Sequence, residues 1–223
     1  MAALRTTLQT QTRRTAERLV APLARTGVTP NALTTLGFIL NVAAGIILAT
    51  GSAAFFAGGF AVLIASAFDM FDGALARVKN QKTAFGAFFD STLDRFSEAA
   101  LFIGLQIAFI RELPGADDDW LSPAHWQATA GAVLCILVLV GSVMISYARA
   151  RAEGLKDAQG RDLGVDCEVG WLQRPERVIA LGIGLLLPRP LLLAVLAALA
   201  IFTHVTVLQR LAHVRRLTSE RVS

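Results

Sequence analysis

The sequence predicts an all-α, polytopic membrane protein: six transmembrane helices preceded by an N-terminal amphipathic juxtamembrane helix, in one membrane domain over residues 1–223. Three observations carry that prediction. Apolar residues make up 54% of the 223 and charged residues only 17%, against roughly 45–50% and about 25% in an ordinary soluble domain. The mean hydropathy is +0.55. Apolar runs of the roughly 20 residues needed to cross about 30 Å of hydrocarbon recur from Ala32 to Leu211. The same composition excludes disorder, a coiled coil and a disulfide-stapled secreted scaffold.

Residues 1–28 read as the juxtamembrane helix. Leu4, Leu8, Ala16, Leu19, Val20 and Leu23 recur at about helical spacing among Arg5, Arg13, Arg14, Arg18 and Arg25, as in a helix lying along the headgroup layer. A basic flexible leader is the plainer alternative. No secretory signal is expected, because residues 1–25 hold no long apolar stretch, so the first span acts as its own insertion signal. The six-helix core covers 29–212. Its spans lie near 32–50, 54–77, 86–110, 125–149, 176–190 and 191–212, the first opening on the helix-start string Thr29-Pro30-Asn31. The prolines of Leu187-Pro188-Arg189-Pro190 divide the fifth span from the sixth. Residues 213–223 form a tail.

The charge pattern tests this order independently. The net charge is +4 and the pI about 9.7, but the cations are spread over short loops instead of forming one soluble face, which argues against nucleic acid as partner. The N-terminal segment, the 77–82 loop (Arg77, Lys79, Lys82), the 149–177 loop (Arg149, Arg151, Lys156, Arg161, Arg174, Arg177) and the tail (Arg210, Arg215, Arg216, Arg221) hold nearly all of them. The opposite side has Arg111 and Arg189, and Arg95 lies inside the third span. Cytoplasmic loops carry such an excess, so both termini are expected in the cytoplasm of a cell-membrane protein. The acidic loop with Glu112, Asp117, Asp118 and Asp119 falls outside as solvated filler. Cys135 and Cys167 form no CxxC or Cys/His spacing, and neither a disulfide nor a thiol role is expected.

Charges within a span are costly and default to functional sites facing the bundle interior. Four carboxylates gather in one short region: Asp69 and Asp72 at i, i+3 end the second span, and Asp90 and Asp94 at i, i+4 begin the third. Each pair shares one helix face, and the hairpin brings both to its cytoplasmic mouth. Four facing carboxylates repel unless cations sit between them. Such hard oxygen donors suit two Mg²⁺ ions, or Mn²⁺, able to clamp a transferring phosphoryl group. Gly73 and Gly86 leave space for close approach, and Arg77 offers a planar fork to a phosphate. Taken singly, each aspartate is equally a solvated helix-end charge.

The string Asp69-x2-Asp72-Gly73-x2-Ala76-Arg77-x8-Gly86-x3-Asp90-x3-Asp94 resembles the signature of the CDP-alcohol phosphotransferase family at every position. The resemblance implies a homodimeric, six-helix membrane enzyme with a juxtamembrane helix, acting among membrane lipids on CDP-diacylglycerol. It further implies that Asp69, Asp72 and Asp90 hold one metal ion, that Asp69, Asp90 and Asp94 hold a second, and that Asp94 is the base. By the same likeness Gly73, Arg77 and Thr83 contact the CDP moiety with Asn31, Ala32, Leu33 and Thr34 at the start of the first span.

A second cationic group bears on the acceptor. Arg149 and Arg151 end the fourth span, Arg174-Pro175-Glu176-Arg177 opens the fifth and Arg210 stands near the end of the sixth. Three helix ends bearing arginine suit a phosphorylated, dianionic acceptor, although positive-inside topology alone also accounts for them. These strings resemble the phosphatidylinositol-phosphate synthase branch, in which the positions of Arg149, Arg177 and Arg210 bind an inositol phosphate. The loop from Gly154 to Leu172 departs from that branch, as does Gln173, where an acidic residue often stands. Glycerol 3-phosphate as acceptor, prenyl transfer on a diphosphate, and a transporter with intramembrane carboxylates are the competing expectations.

Overall fold

The computed structural model describes residues 15–113, 122–155, 167, 169, 170 and 173–222, with side chains to 219. Those residues are helical or lie in turns and loops, with no strand among them. Helix α1 includes 15–24. There follow α2 (Pro30–Ala49), a 3₁₀ turn (Ser52–Ala54), α3 (Phe55–Val78), α4 (Ala84–Ile110), α5 (Pro123–Glu153), α6 (Arg174–Leu185) and α7 (Arg189–Val222). Leu4 and Leu8 of the expected juxtamembrane helix, Asp117–Asp119 and most of the 154–172 loop lie outside the described residues.

Local chemistry starts these helices, α2 at the helix-start string read from the sequence. Thr29 Oγ1 accepts from Ala32 N at 3.2 Å with Pro30 in the first turn of α2, and Ser122 does the same for α5. At α6 the Glu176 carboxylate reaches back to Gln173 N at 2.7 Å, which caps the helix and fixes its first turn. Four stretches are long and apolar enough to cross a membrane: Pro30–Ala49, Ser52–Val78, Pro123–Glu153 and Arg189–Ser219. Helix α4 has the length but carries Asp90, Asp94, Arg95 and Glu98 within its first fifteen residues. Helix α6, 12 residues, rises only about 18 Å. The expected tail is no separate segment, since α7 continues through it to Val222.

Two close approaches hold the bundle together. A Cβ on Gly104 would drive into the backbone of Gly45, and one on Gly45 into Ala100, so α4 meets α2 backbone to backbone, the small-residue packing that suits helices in lipid. Around this seam Leu48, Val62, Leu101, Leu105, Phe109, Leu181, Leu185, Leu192 and Leu196 form the buried core. Ile46, Phe60, Ile64, Val140, Ile201 and Leu208 point outward, an apolar exterior that water would penalise and hydrocarbon does not.

A smaller cluster joins α1 to the bundle: Ala16 and Val20 pack with Leu33, Ala74 and Leu75. At the opposite end Glu112, expected as filler, pairs with Arg189 at 2.5 Å, and the Arg189 guanidinium lies 5.3 Å over the Phe109 ring. Cys167 is fully buried beside Ala152, Val214 and Leu217.

Candidate active site

The α3–α4 hairpin builds the site. Its turn is set by Asn80 at φ 53° and by Lys79 Nζ, which donates to the carbonyls of Thr26 at 2.8 Å and Val28 at 2.7 Å. Thr83 caps α4 by accepting from Gly86 N at 2.9 Å. Asp69 and Asp72 thereby face Asp90 and Asp94 across the hairpin mouth. Asp72 is buried and accepts from Thr34 Oγ1 at 2.7 Å.

One cation already stands among these acids, and the sequence had set it in the arginine string that opens the fifth span, with no place beside the aspartates. Arg174, the first residue of α6, reaches Asp69 Oδ2 at 3.0 Å and Asp94 Oδ1 at 2.8 Å. Among the described residues no three acidic, histidine or cysteine side chains form a ready-made cation cage. The donor set nevertheless fits hard divalent ions. It is all carboxylate oxygen, drawn from two rigid helices, in a cleft where a positive charge bridges the α3 and α4 acids.

Two cavities flank this cluster, the larger through Arg174, which lines it and pairs with Asp69 and Asp94. The smaller, about 230 Å³, is lined by Asn31, Thr34, Gly73, Arg77 and Thr83, with Asp72 and Asp90 at its acidic wall. Of the expected nucleotide-contacting residues only Ala32 and Leu33 stay outside: Ala32 is exposed on α2 and Leu33 is buried against α1 and α3. Arg77 Nε donates to Glu17 Oε1 of α1 at 2.7 Å.

The larger cavity, about 1000 Å³, brings together Arg149, Arg177 and Arg210 with Arg174, from the same string as Arg177, and with Arg95 of the third span. Arg149 pairs with Glu153 at 2.7 Å and is half exposed. Arg210 donates from Nε to Val169 O at 3.0 Å and from Nη1 to Ile145 O at 2.5 Å. Arg95 Nε donates to Ser146 Oγ at 2.8 Å, and its Nη1 lies 3.7 Å from Asp94. Arg177 is 2% exposed and bonds Glu98 Oε1 at 3.0 Å and Ser142 Oγ at 2.8 Å. Glu98, one turn beyond Asp94, was not among the expected site residues; the signal was present, since Asp90, Asp94 and Glu98 recur every fourth residue on one helix face. A basic cavity beside an acidic cluster suits an anion delivered to a metal-dependent centre.

The family model for CDP-alcohol phosphatidyltransferases matches residues 27–214. The chain belongs to the CDP-alcohol phosphatidyltransferase family. It is therefore a transferase. Among relatives of this family it is 34% identical over 206 residues to the phosphatidylinositol phosphate synthase of Mycobacteroides abscessus, covering 88% of this chain and 82% of that one. It is also 34% identical over 203 residues to the archaetidylinositol phosphate synthase of Methanothermobacter thermautotrophicus, covering 88% and 89%. The phosphatidylinositol phosphate synthase of Mycobacterium tuberculosis, crystallised with CDP-DAG bound, superposes with a TM-score of 0.71 at 31% identity over 90% of this chain and 94% of that one. A second crystal structure of that protein, in complex with manganese and citrate, gives a TM-score of 0.70 at 31% identity over 89% and 88%.

Proposed function

We propose that this phosphatidyltransferase is a phosphatidylinositol-phosphate synthase of phospholipid biosynthesis. It transfers the phosphatidyl group of CDP-diacylglycerol to 1D-myo-inositol 3-phosphate (L-myo-inositol 1-phosphate) and releases CMP. The observation that carries the reading is a pair of unlike cavities flanking one acidic cluster: the smaller has Asp72 and Asp90 in its wall with Arg77 and Lys82, and the larger is lined by five arginines, of which Arg174 pairs with Asp69 and Asp94. Its likeness to phosphatidylinositol phosphate and archaetidylinositol phosphate synthases, one of them crystallised with CDP-DAG bound, supports it.

Asp69, Asp72 and Asp90 would hold one divalent ion and Asp69, Asp90 and Asp94 a second, Mg²⁺ or Mn²⁺; when bound, such ions neutralise the diphosphate and make CMP a better leaving group. Asn31, Thr34, Gly73, Arg77 and Thr83 receive the CDP moiety, while Ala32 and Leu33 hold the first turns of α2 in place. Arg149, Arg177 and Arg210 bind the acceptor phosphate. Asp94 takes the proton as the acceptor hydroxyl oxygen bonds to the β-phosphorus, and the electron pair of the broken P–O bond leaves on CMP. Arg174, between Asp94 and Asp69 and open to the acceptor cavity, orients the base and faces the incoming phosphate.

The same proposal takes 1–223 as one domain in which α4 and α6 join the four long apolar helices to make six crossings. Helix α1 lies along the cytoplasmic surface, both termini and the site face the cytoplasm at the cell membrane, and two copies form a homodimer. The distribution of Lys and Arg supports that orientation.

The test is CMP release by purified protein with CDP-diacylglycerol and Mg²⁺, comparing inositol 1-phosphate, free inositol, glycerol 3-phosphate and serine. Release with inositol 1-phosphate alone is expected. Release with glycerol 3-phosphate alone would make the product phosphatidylglycerol phosphate, and silence with every acceptor would return the transporter reading. The Arg149→Ala variant is expected to raise the KM for inositol 1-phosphate about tenfold, one lost charge-assisted contact, with an unchanged unfolding temperature because its Glu153 partner is exposed.

A further inference from the structure

We propose that Glu17 of helix α1 is a positioning residue for the nucleotide-lipid donor: it grips Arg77 by its inner nitrogen and aims the outer fork of the guanidinium into the smaller cavity. The inference rests on reading that cavity as the CDP site. Glu17 and Arg77 are 60 residues apart in sequence and meet at 2.7 Å. The contact takes Nε, one of the five N–H donors of an arginine. On the far side, Nη1 lies 3.5 Å from where a Cβ of Gly73 would stand, and Gly73 and Arg77 both line the cavity. Among the described residues the two terminal nitrogens of Arg77 make no other hydrogen bond.

Helix α1 is fixed where it presents this carboxylate. Ala16 and Val20, on either side of Glu17, are 3% and 1% exposed and pack on Leu33, Ala74 and Leu75. The ion pair itself is 24% and 32% exposed, and pairs of that kind add little stability. A free arginine gives up rotamer freedom when it closes on a phosphate, whereas one already held gives up less. The charge of Glu17 works against an anionic ligand, so only its role as a hydrogen-bond acceptor favours the donor. That sign makes the proposal separable from simple electrostatics.

The experiment uses full-length protein and CDP-diacylglycerol. Glu17→Ala is expected to raise the donor KM about tenfold, the middle of the range for coupled neighbours, leaving kcat, the acceptor KM and the unfolding temperature within error. Glu17→Gln keeps an oxygen for Arg77 Nε and is expected to restore the donor KM. In an Arg77→Ala background, Glu17→Ala is expected to add nothing. An unchanged donor KM in Glu17→Ala, additive effects in the double variant, or equal losses in Glu17→Ala and Glu17→Gln would each overturn the assignment. Direct binding of CDP-diacylglycerol without acceptor separates the two levels. Wild-type protein that fails to bind it overturns the functional reading itself, and equal binding by wild type and Glu17→Ala overturns the role of Glu17 alone.

Discussion

Asp94→Asn is expected to lower CMP release by about 10²–10⁴-fold, the usual contribution of a positioned general base, while CDP-diacylglycerol and a divalent ion still bind. The amide has the shape of the carboxylate, and its oxygen can still accept from Arg174 Nη1, which lies 2.8 Å from Asp94 Oδ1. Asp69, Asp72 and Asp90 remain to hold one ion. What is lost is the group able to take the hydroxyl proton. Paired measurements decide the matter: CMP release for turnover, and paramagnetic Mn²⁺ binding with donor binding for the intact site. Near-normal turnover would remove Asp94 from the base position, and loss of donor binding alongside turnover would reassign it to assembly of the site.

The aspartate cluster was legible because its information is local. Two pairs at helical spacing, on consecutive antiparallel helices, have little choice but to meet at the turn that joins them. The same holds for the cap at Thr29, where the partner is three residues away. Contacts that depend on tertiary packing were not legible. Arg174 belonged to the arginine string at the start of the fifth span, and its place between Asp69 and Asp94 exists only because α6 starts against the hairpin mouth. Glu17 is the one acidic residue in the sequence of residues 1–28, and nothing local to it names its partner Arg77, 60 residues on.

The span count shows the same division. Four of the six expected spans fall in helices long and apolar enough to cross a membrane. Helix α4 mixes site charges with its apolar face, and α6 is short and packed tightly on α3, where a Cβ on Gly59 would come within 2.9 Å of Gly182 O. Hydropathy sees neither circumstance. Arg177 carries the sharpest difference between the two views. It was expected as an acceptor ligand, and it lines that cavity, yet most of its described hydrogen bonding goes to Glu98 and Ser142 in a fully buried triad.

That triad carries the second large effect. Glu98 and Ser142 are 3% and 1% exposed, and Ser142 Oγ donates to Glu98 Oε2 at 2.5 Å while accepting from Arg177 Nη2 at 2.8 Å. Removing one partner of a buried pair leaves an uncompensated charge, so Glu98→Ala is expected to cost about 3–5 kcal/mol of stability. Glu98→Gln, which keeps an acceptor near Arg177 Nε, is expected to cost less. Replacing both ends with apolar residues removes the stranded charge, so the double variant Glu98→Met, Arg177→Met is expected to recover most of the unfolding temperature. It should not recover use of inositol 1-phosphate, because the cavity has lost Arg177. Thermal unfolding in detergent, read beside acceptor KM, tells the roles apart. A double variant as unstable as Glu98→Ala would mean that α4, α5 and α6 need the polar network itself, and a double variant with normal acceptor KM would take Arg177 out of the acceptor site and leave Arg95, Arg149, Arg174 and Arg210 to bind the phosphate.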